Sequence, residues 1–113
     1  MNRRLKGTEW EEKAADYLAD MGYRILQMNY RCRIGEIDII ARDGGYYVFA
    51  EVKYRNSDEY GSPFEAVTPA KQRRIRRVAQ MYLLEHGISM YVNCRFDVIG
   101  ILNGEITLLK DAF

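Results

Sequence analysis

Three charged side chains stand inside two apolar runs of this sequence, and their types are the ones that could do chemistry. Asp38 interrupts a run of Ile37, Ile39 and Ile40, while Glu51 and Lys53 flank Val52 after Val48-Phe49-Ala50. A carboxylate or an amine left unpaired in such a setting costs roughly several kcal/mol, so each needs compensation. One form of compensation is an internal ion pair between Lys53 and Glu51 or Asp38. The other is a cation together with an anionic substrate. An Asp on one strand facing Glu-x-Lys on its neighbour is a minimal set for metal-assisted phosphodiester hydrolysis. Asp38 and Glu51 would offer hard oxygen ligands to Mg²⁺ or Mn²⁺, and the Val52 carbonyl would offer a third. Lys53 would orient or help deprotonate the attacking water, or stabilise charge on the phosphorus. On residue types alone both forms stay open.

The elements that must position these residues can be read from periodicity. Alternation over Glu36 to Arg42 puts Glu36, Asp38, Ile40 and Arg42 on one face and Ile37, Ile39 and Ala41 on the other. Over Tyr46 to Lys53 the faces are Tyr47, Phe49, Glu51, Lys53 and Tyr46, Val48, Ala50, Val52. A four-residue loop, Asp43-Gly44-Gly45-Tyr46, predicts a hairpin with Arg42 opposite Tyr47, and therefore Asp38 opposite Glu51, their Cβ atoms about 5 Å apart. A one-residue slip would undo that alignment.

Upstream, Thr8 to Met21 has helical periodicity, with Gly22 as its stop. Trp10, Ala14, Tyr17, Leu18 and Met21 share one arc with Ala15 beside it, and most charges lie opposite. Glu11 is the exception, at the edge of the apolar arc. It is either a solvated acid near a helix N-terminus or a carboxylate aimed at a site on the sheet. Tyr23 to Arg31 reads as a strand leading into Arg31-Cys32-Arg33, whose two arginines are either surface charges or phosphate contacts.

Downstream, Tyr54 to Val67 reads as a polar loop, long enough for a flap over substrate. Thr68-Pro69 opens a second helix that runs to about His86 and stops at Gly87. Its buried arc holds Ile75, Val78, Ala79, Tyr82 and Leu83, with Lys71 and Gln72 projecting into the same arc at the N-terminal end. His86 reads as a helix-end cap or packed residue. Arg73, Arg74, Arg76 and Arg77 surround the first two turns, where cations oppose the helix dipole. A solvated basic face and a phosphate-binding surface, with Arg55 nearby, are the two readings of that run. Met90 to Ile101 and Glu105 to Lys110 read as strands joined by an Asn-Gly turn, with Arg95 and Asp97 able to pair.

The whole fits one α/β domain over residues 1–113. Hydrophobic content of 48%, charged content of 29% and a net charge of +1 describe an ordinary globular chain with no global basic field, so any nucleic-acid surface must be local. No run reaches membrane-helix length and the N-terminus lacks a signal-peptide core, which leads to the expectation of a cytoplasmic protein with no membrane partner. Cys32 and Cys94 are far apart and have no metal-ligand spacing, so reduced thiols are expected and no zinc site is.

The order Gly7-x-x-x-Glu11, Ala14-x-x-Tyr17-Leu18, Gly22-Tyr23-x-Ile25-Leu26, Asn29-Tyr30-Arg31, GEIDIIAR over 35–42, VFAEVKYR over 48–55 and Arg95-Phe96-Asp97-Val98 resembles the YraN-like bacterial protein family. The likeness runs from Gly7 to about Ile101. That family is similar to archaeal Holliday-junction resolvases within the restriction-endonuclease-like superfamily. The resemblance implies a central mixed sheet of four to five strands flanked by helices. It carries the metal-binding acid onto Asp38, the Glu-x-Lys pair onto Glu51 and Lys53, and the first-helix acid onto Glu11. Trp10 stands where the family often has glycine. Lys71 and Gln72 match, more loosely, the polar start of the second core helix. The implied activity is a Mg²⁺- or Mn²⁺-dependent endonuclease on DNA rather than RNA, acting on branched or single-stranded repair or recombination intermediates, with a homodimer in keeping with resolvase-like relatives. A non-catalytic nucleic-acid-binding module working with a partner protein is the alternative, and a structural subunit a third.

Overall fold

The computed structural model describes residues 7–55 and 67–113. Its elements are α1 (Gly7–Asp20), β1 (Arg24–Arg31), β2 (Glu36–Asp43), β3 (Tyr46–Arg55), α2 (Pro69–Glu85), β4 (Asn93–Leu102) and β5 (Glu105–Leu109). The five strands form one sheet in sequence order, β1-β2-β3-β4-β5. All neighbours are antiparallel except β3 and β4, which run parallel because α2 returns the chain between them. This is a mixed five-stranded α/β sheet with two helices.

Each face of the sheet has its own core. Ala14 and Leu18 of α1 pack on Ile39, Ala41, Val48, Ala50, Ile99 and Ile101, all fully buried. Ile75, Val78, Ala79, Tyr82 and Leu83 of α2 pack on Ile40, Phe49, Phe96 and Val98 of the opposite face. Burying a side chain the size of Leu18 or Ile75 contributes about 1.5–3 kcal/mol, so both helices are held by their apolar arcs rather than by propensity. Alternation along β3 follows the reading above. Along β2 it holds from Ile39 to Ala41 and then fails, because Ile37 joins Tyr30 on the α2 side. The physical reason lies in the ladder. Its pairs run from Asp43–Tyr46 through Arg42–Tyr47 to Ile39–Ala50 and go no further, so β2 is free to turn at Asp38.

The ends of the elements show which local signals decided them. At α2 the Thr68 hydroxyl accepts from the Lys71 amide, and Pro69 fills the first helical position, where no intrahelical N–H is needed. Its C-terminus closes with Ile88 N–H on the Leu83 carbonyl and Gly87 N–H on Leu84, with Gly87 at φ 63° and His86 as the cap residue. Asn103 and Gly104 make the β4–β5 turn with φ 51° and 83°, the left-handed pair that a two-residue hairpin requires.

Four boundaries differ from expectation. Asp43 and Tyr46 pair with each other, which leaves a two-residue turn at Gly44-Gly45 rather than a four-residue loop. Met21 lies past the end of α1 and is 46% exposed, because the helix stops before a further turn could carry it onto the core. Met90 and Tyr91 precede β4 and are exposed; Tyr46, at the start of β3, already pairs with Asn93, leaving them no strand to bond. Tyr54 and Arg55 continue β3, where the neighbouring β4 extends their pairing to Leu102. The expected flap between them and Val67 lies, for residues 56–66, outside the described residues.

Candidate active site

The fork where β2 and β3 part is the centre of the site. Beyond the last ladder pair the two strands are joined by side chains instead of carbonyls. The Val52 amide donates to Asp38 Oδ2 at 2.8 Å, and the Asp38 amide donates to Glu51 Oε2 at 3.3 Å. The predicted register therefore holds up to the residue before the two carboxylates, which follow side by side. Around them is a cavity of about 320 Å³. Asp38, Glu51, Val52 and Lys53 line it from the sheet, Glu11 from the first half of α1, Lys71, Arg74 and Ile75 from α2, and Gly35 and Glu36 from the β1–β2 connection and the start of β2.

Glu51 is buried, with 3% exposure, and Asp38 is half-buried. Desolvation is the largest influence on each carboxyl and raises both. The Asp38 charge then adds to the effect at Glu51, which is pushed up to about 7, while the Val52 amide and the Lys53 ammonium oppose the rise at Asp38. Glu11 is also raised, by desolvation and then by the charge of Asp38 across the cavity. Lys53 is lowered, first by desolvation and then by the Lys71 ammonium beside it. The ion-pair reading of Glu51 is met by a different lysine from the one expected, since Lys71 Nζ stands 3.6 Å from Glu51 Oε1.

The remaining expected contacts divide. Arg74 reaches the cavity by lying across Gly35. A Cβ there would stand 3.1 Å from Arg74 Cδ and 3.4 Å from its Cγ, so the absence of a side chain at position 35 makes room for that arginine. Gln72 does not line the cavity, because its amide donates to the Val67 carbonyl at 3.1 Å and fixes the entry to α2. Arg76 turns the other way and stacks over Phe96, 4.6 Å from the ring centroid, and over Phe113. Arg73 and Arg77 are exposed on the outer side of α2, and Arg55 is at the end of β3, half-buried and outside the cavity lining. Arg31 pairs with Glu36 at 3.0 Å.

Among the described residues no three carboxylate, imidazole or thiolate groups enclose one point as they stand. The donor set at the fork nonetheless suits a hard divalent ion in type. It consists of two adjacent oxygen ligands desolvated to the point that protons bind them unusually well, with a third carboxylate beside them.

A second polar cluster gathers around Asp97 of β4, whose neighbour on β3 is Ala50, and reaches Asp43 at the far end of β2. Asp97 is fully buried and accepts from Arg95 Nε at 2.9 Å, from the Tyr23 hydroxyl at 2.9 Å and from the Asp111 amide at 2.9 Å. Arg95 also pairs with Asp43 at 2.8 Å and bonds the Tyr23 hydroxyl. The Arg95–Asp97 pairing is legible from their shared strand face. The parts played by Tyr23 and Asp43 are not, since neither has a spacing that connects it to β4. Both cysteines are free and half-buried, and no described helix is long and apolar enough to cross a membrane.

Comparison with known proteins covers most of this architecture. The family model described as "Uncharacterised protein family UPF0102" matches residues 10–101, which include every residue of the cavity. A UPF0102 protein of Lachnoclostridium phytofermentans is 53% identical over 113 residues, covering 100% of this chain and 96% of that protein. One from Syntrophus aciditrophicus is 55% identical over 107 residues, with 91% and 84% covered. One from Symbiobacterium thermophilum is 52% identical over 118 residues, with 100% and 98% covered. The chain belongs to the UPF0102 family, the YraN-like proteins whose motifs its sequence resembles.

Proposed function

We propose that this protein is a Mg²⁺- or Mn²⁺-dependent endonuclease that hydrolyses phosphodiesters in DNA, with branched or single-stranded repair intermediates as its substrates and a restriction-endonuclease-like, resolvase-related core. The observation that carries the reading is the fork itself. Two desolvated carboxylates, Asp38 and Glu51, stand side by side at the rim of a cavity whose other wall is cationic. Such a pair is costly without a partner charge, and a divalent ion would supply it while polarising a scissile phosphate. Asp38, Glu51 and the Val52 carbonyl are the groups to hold that ion, with Glu11 completing the shell. Lys53, depressed by burial and by Lys71, is suited to take a proton from the attacking water. Arg74 at the cavity mouth would hold a flanking phosphate.

Incubating purified protein with a panel of linear, single-stranded and branched DNA, and with RNA, tests the proposal. Cleavage is expected only with Mg²⁺ or Mn²⁺, and Asp38→Ala or Glu51→Ala should reduce it about 1000-fold, equivalent to ~4 kcal/mol of barrier. A preparation that binds these metals yet cuts none of the substrates would sink the claim of catalysis.

One observation favours a second reading, a binding module of the same fold that acts with a partner protein. Each carboxylate of the fork already satisfies a backbone amide, so the fork has a structural use of its own. On that reading cleavage is absent, while Arg73→Ala/Arg74→Ala weakens DNA binding and lowers the slope of log affinity against log salt by about 1 per phosphate no longer neutralised.

A further inference from the structure

Lys71 and Glu51 are an unequal pair. The Glu51 side chain is 4% exposed and tied to the Asp38 amide, whereas Lys71 is 33% exposed and sits on the first turn of α2. Their 3.6 Å separation exceeds hydrogen-bond length, so the ammonium neutralises the carboxylate without being locked to it. Nothing local to the helix explains a lysine there, because a cation in the first turn opposes the dipole. Lys53 lines the same cavity as Lys71, and two amines sharing one small space repel when both are charged. Lys71 therefore has a reason to leave and a route into solvent, while Glu51 has neither.

We propose that Lys71 is the resident cation of this site. Its ammonium holds the place on Glu51 that a divalent ion would take, so that the Lys71–Glu51 pair and metal binding exclude each other. The inference rests on the metal reading of the fork and adds to it a residue that sets the metal affinity from outside the ligand set. In the folded protein the carboxylates then keep a positive charge beside them, and metal enters only by displacing an ammonium that can swing outward.

Calorimetric titration with MnCl₂ at fixed pH and ionic strength, on the parent, Lys71→Met and Lys71→Arg, tests this, with circular dichroism to verify folding. Lys71→Met is expected to bind Mn²⁺ about tenfold more tightly than the parent, equivalent to ~1.4 kcal/mol, and Lys71→Arg to stay near the parent value. Should Lys71→Met not fold, Lys71→Gln serves in its place with the same expectation. Equal or weaker binding by the charge-removed variant, with parent binding intact, overturns the inference and leaves the metal reading standing. An absence of binding in parent and variants alike overturns both. A parent that fails to bind beside a Lys71→Met variant that binds supports the inference in its strongest form.

Discussion

Glu51 carries the clearest pH signature at the scale of single residues. Burial and the neighbouring Asp38 raise its pKa from 4.5 to about 7, so the folded protein binds this proton more tightly than the unfolded chain does. The stability due to Glu51 is therefore fully present below the unfolded value near 4.5 and is lost as pH rises through about 7. Denaturant unfolding of the metal-free protein across that range should show a decline on the order of 3 kcal/mol, and Glu51→Gln should flatten it. Identical profiles for the parent and Glu51→Gln would show that Glu51 carries no desolvation penalty. Asp38 and Glu51 are legible in the sequence because an acid within an Ile/Val/Phe run has few uses. Lys71 is harder to read. In the sequence it shares the inward arc of its helix with Gln72, and only the approach of α2 to the end of β3 shows that Lys71, and not Lys53, is the amine that pairs with Glu51.

The two helices and the strand cores are the most legible elements, since their apolar arcs and capping residues agree with each other. The five core positions of α2 and the Thr68-Pro69 start all follow from periodicity and cap chemistry. What periodicity cannot foresee is the direction of long side chains at the helix surface. Arg74 and Arg76 are two residues apart, yet one crosses Gly35 towards the cavity and the other crosses Phe96 away from it. Gly35→Ala should therefore push Arg74 aside and weaken DNA binding severalfold while the fold persists, as filter binding and thermal melting together would reveal. Gly104→Ala acts on an element instead of the site. Placing a Cβ at φ 83° in the β4–β5 turn should cost about 1 kcal/mol and lower the melting temperature by roughly 4–8 °C, with Mn²⁺ affinity unchanged.

The whole molecule carries two charged clusters on one sheet, one at the fork of β2 and β3 and one around Asp97 of β4, and they should fail differently. Asp97→Ala strips a fully buried acid from Arg95, Tyr23 and the Asp111 amide, and should cost about 3–5 kcal/mol in chemical denaturation. On the proposed function, Glu51→Gln should instead abolish cleavage while the fold persists, as activity and chemical denaturation together would reveal. The central β3–β4 pair has a further consequence, in time rather than in energy. The β2–β3 hairpin closes over two residues, but Tyr46 can meet Asn93 only after all of α2 has been placed. Hairpins form in about microseconds, whereas pairing across long sequence separations is slow. On that ground Asp38 and Glu51 are expected to come side by side early in folding, and Lys71 to reach them late. Such an order would leave the two adjacent acids with Lys53 as their one nearby cation until α2 docks, so Mn²⁺ present during refolding should accelerate it by capturing the hairpin before Lys71 arrives. Stopped-flow refolding of the parent and of Asp38→Ala, each with and without metal, would show whether a divalent ion takes part in folding.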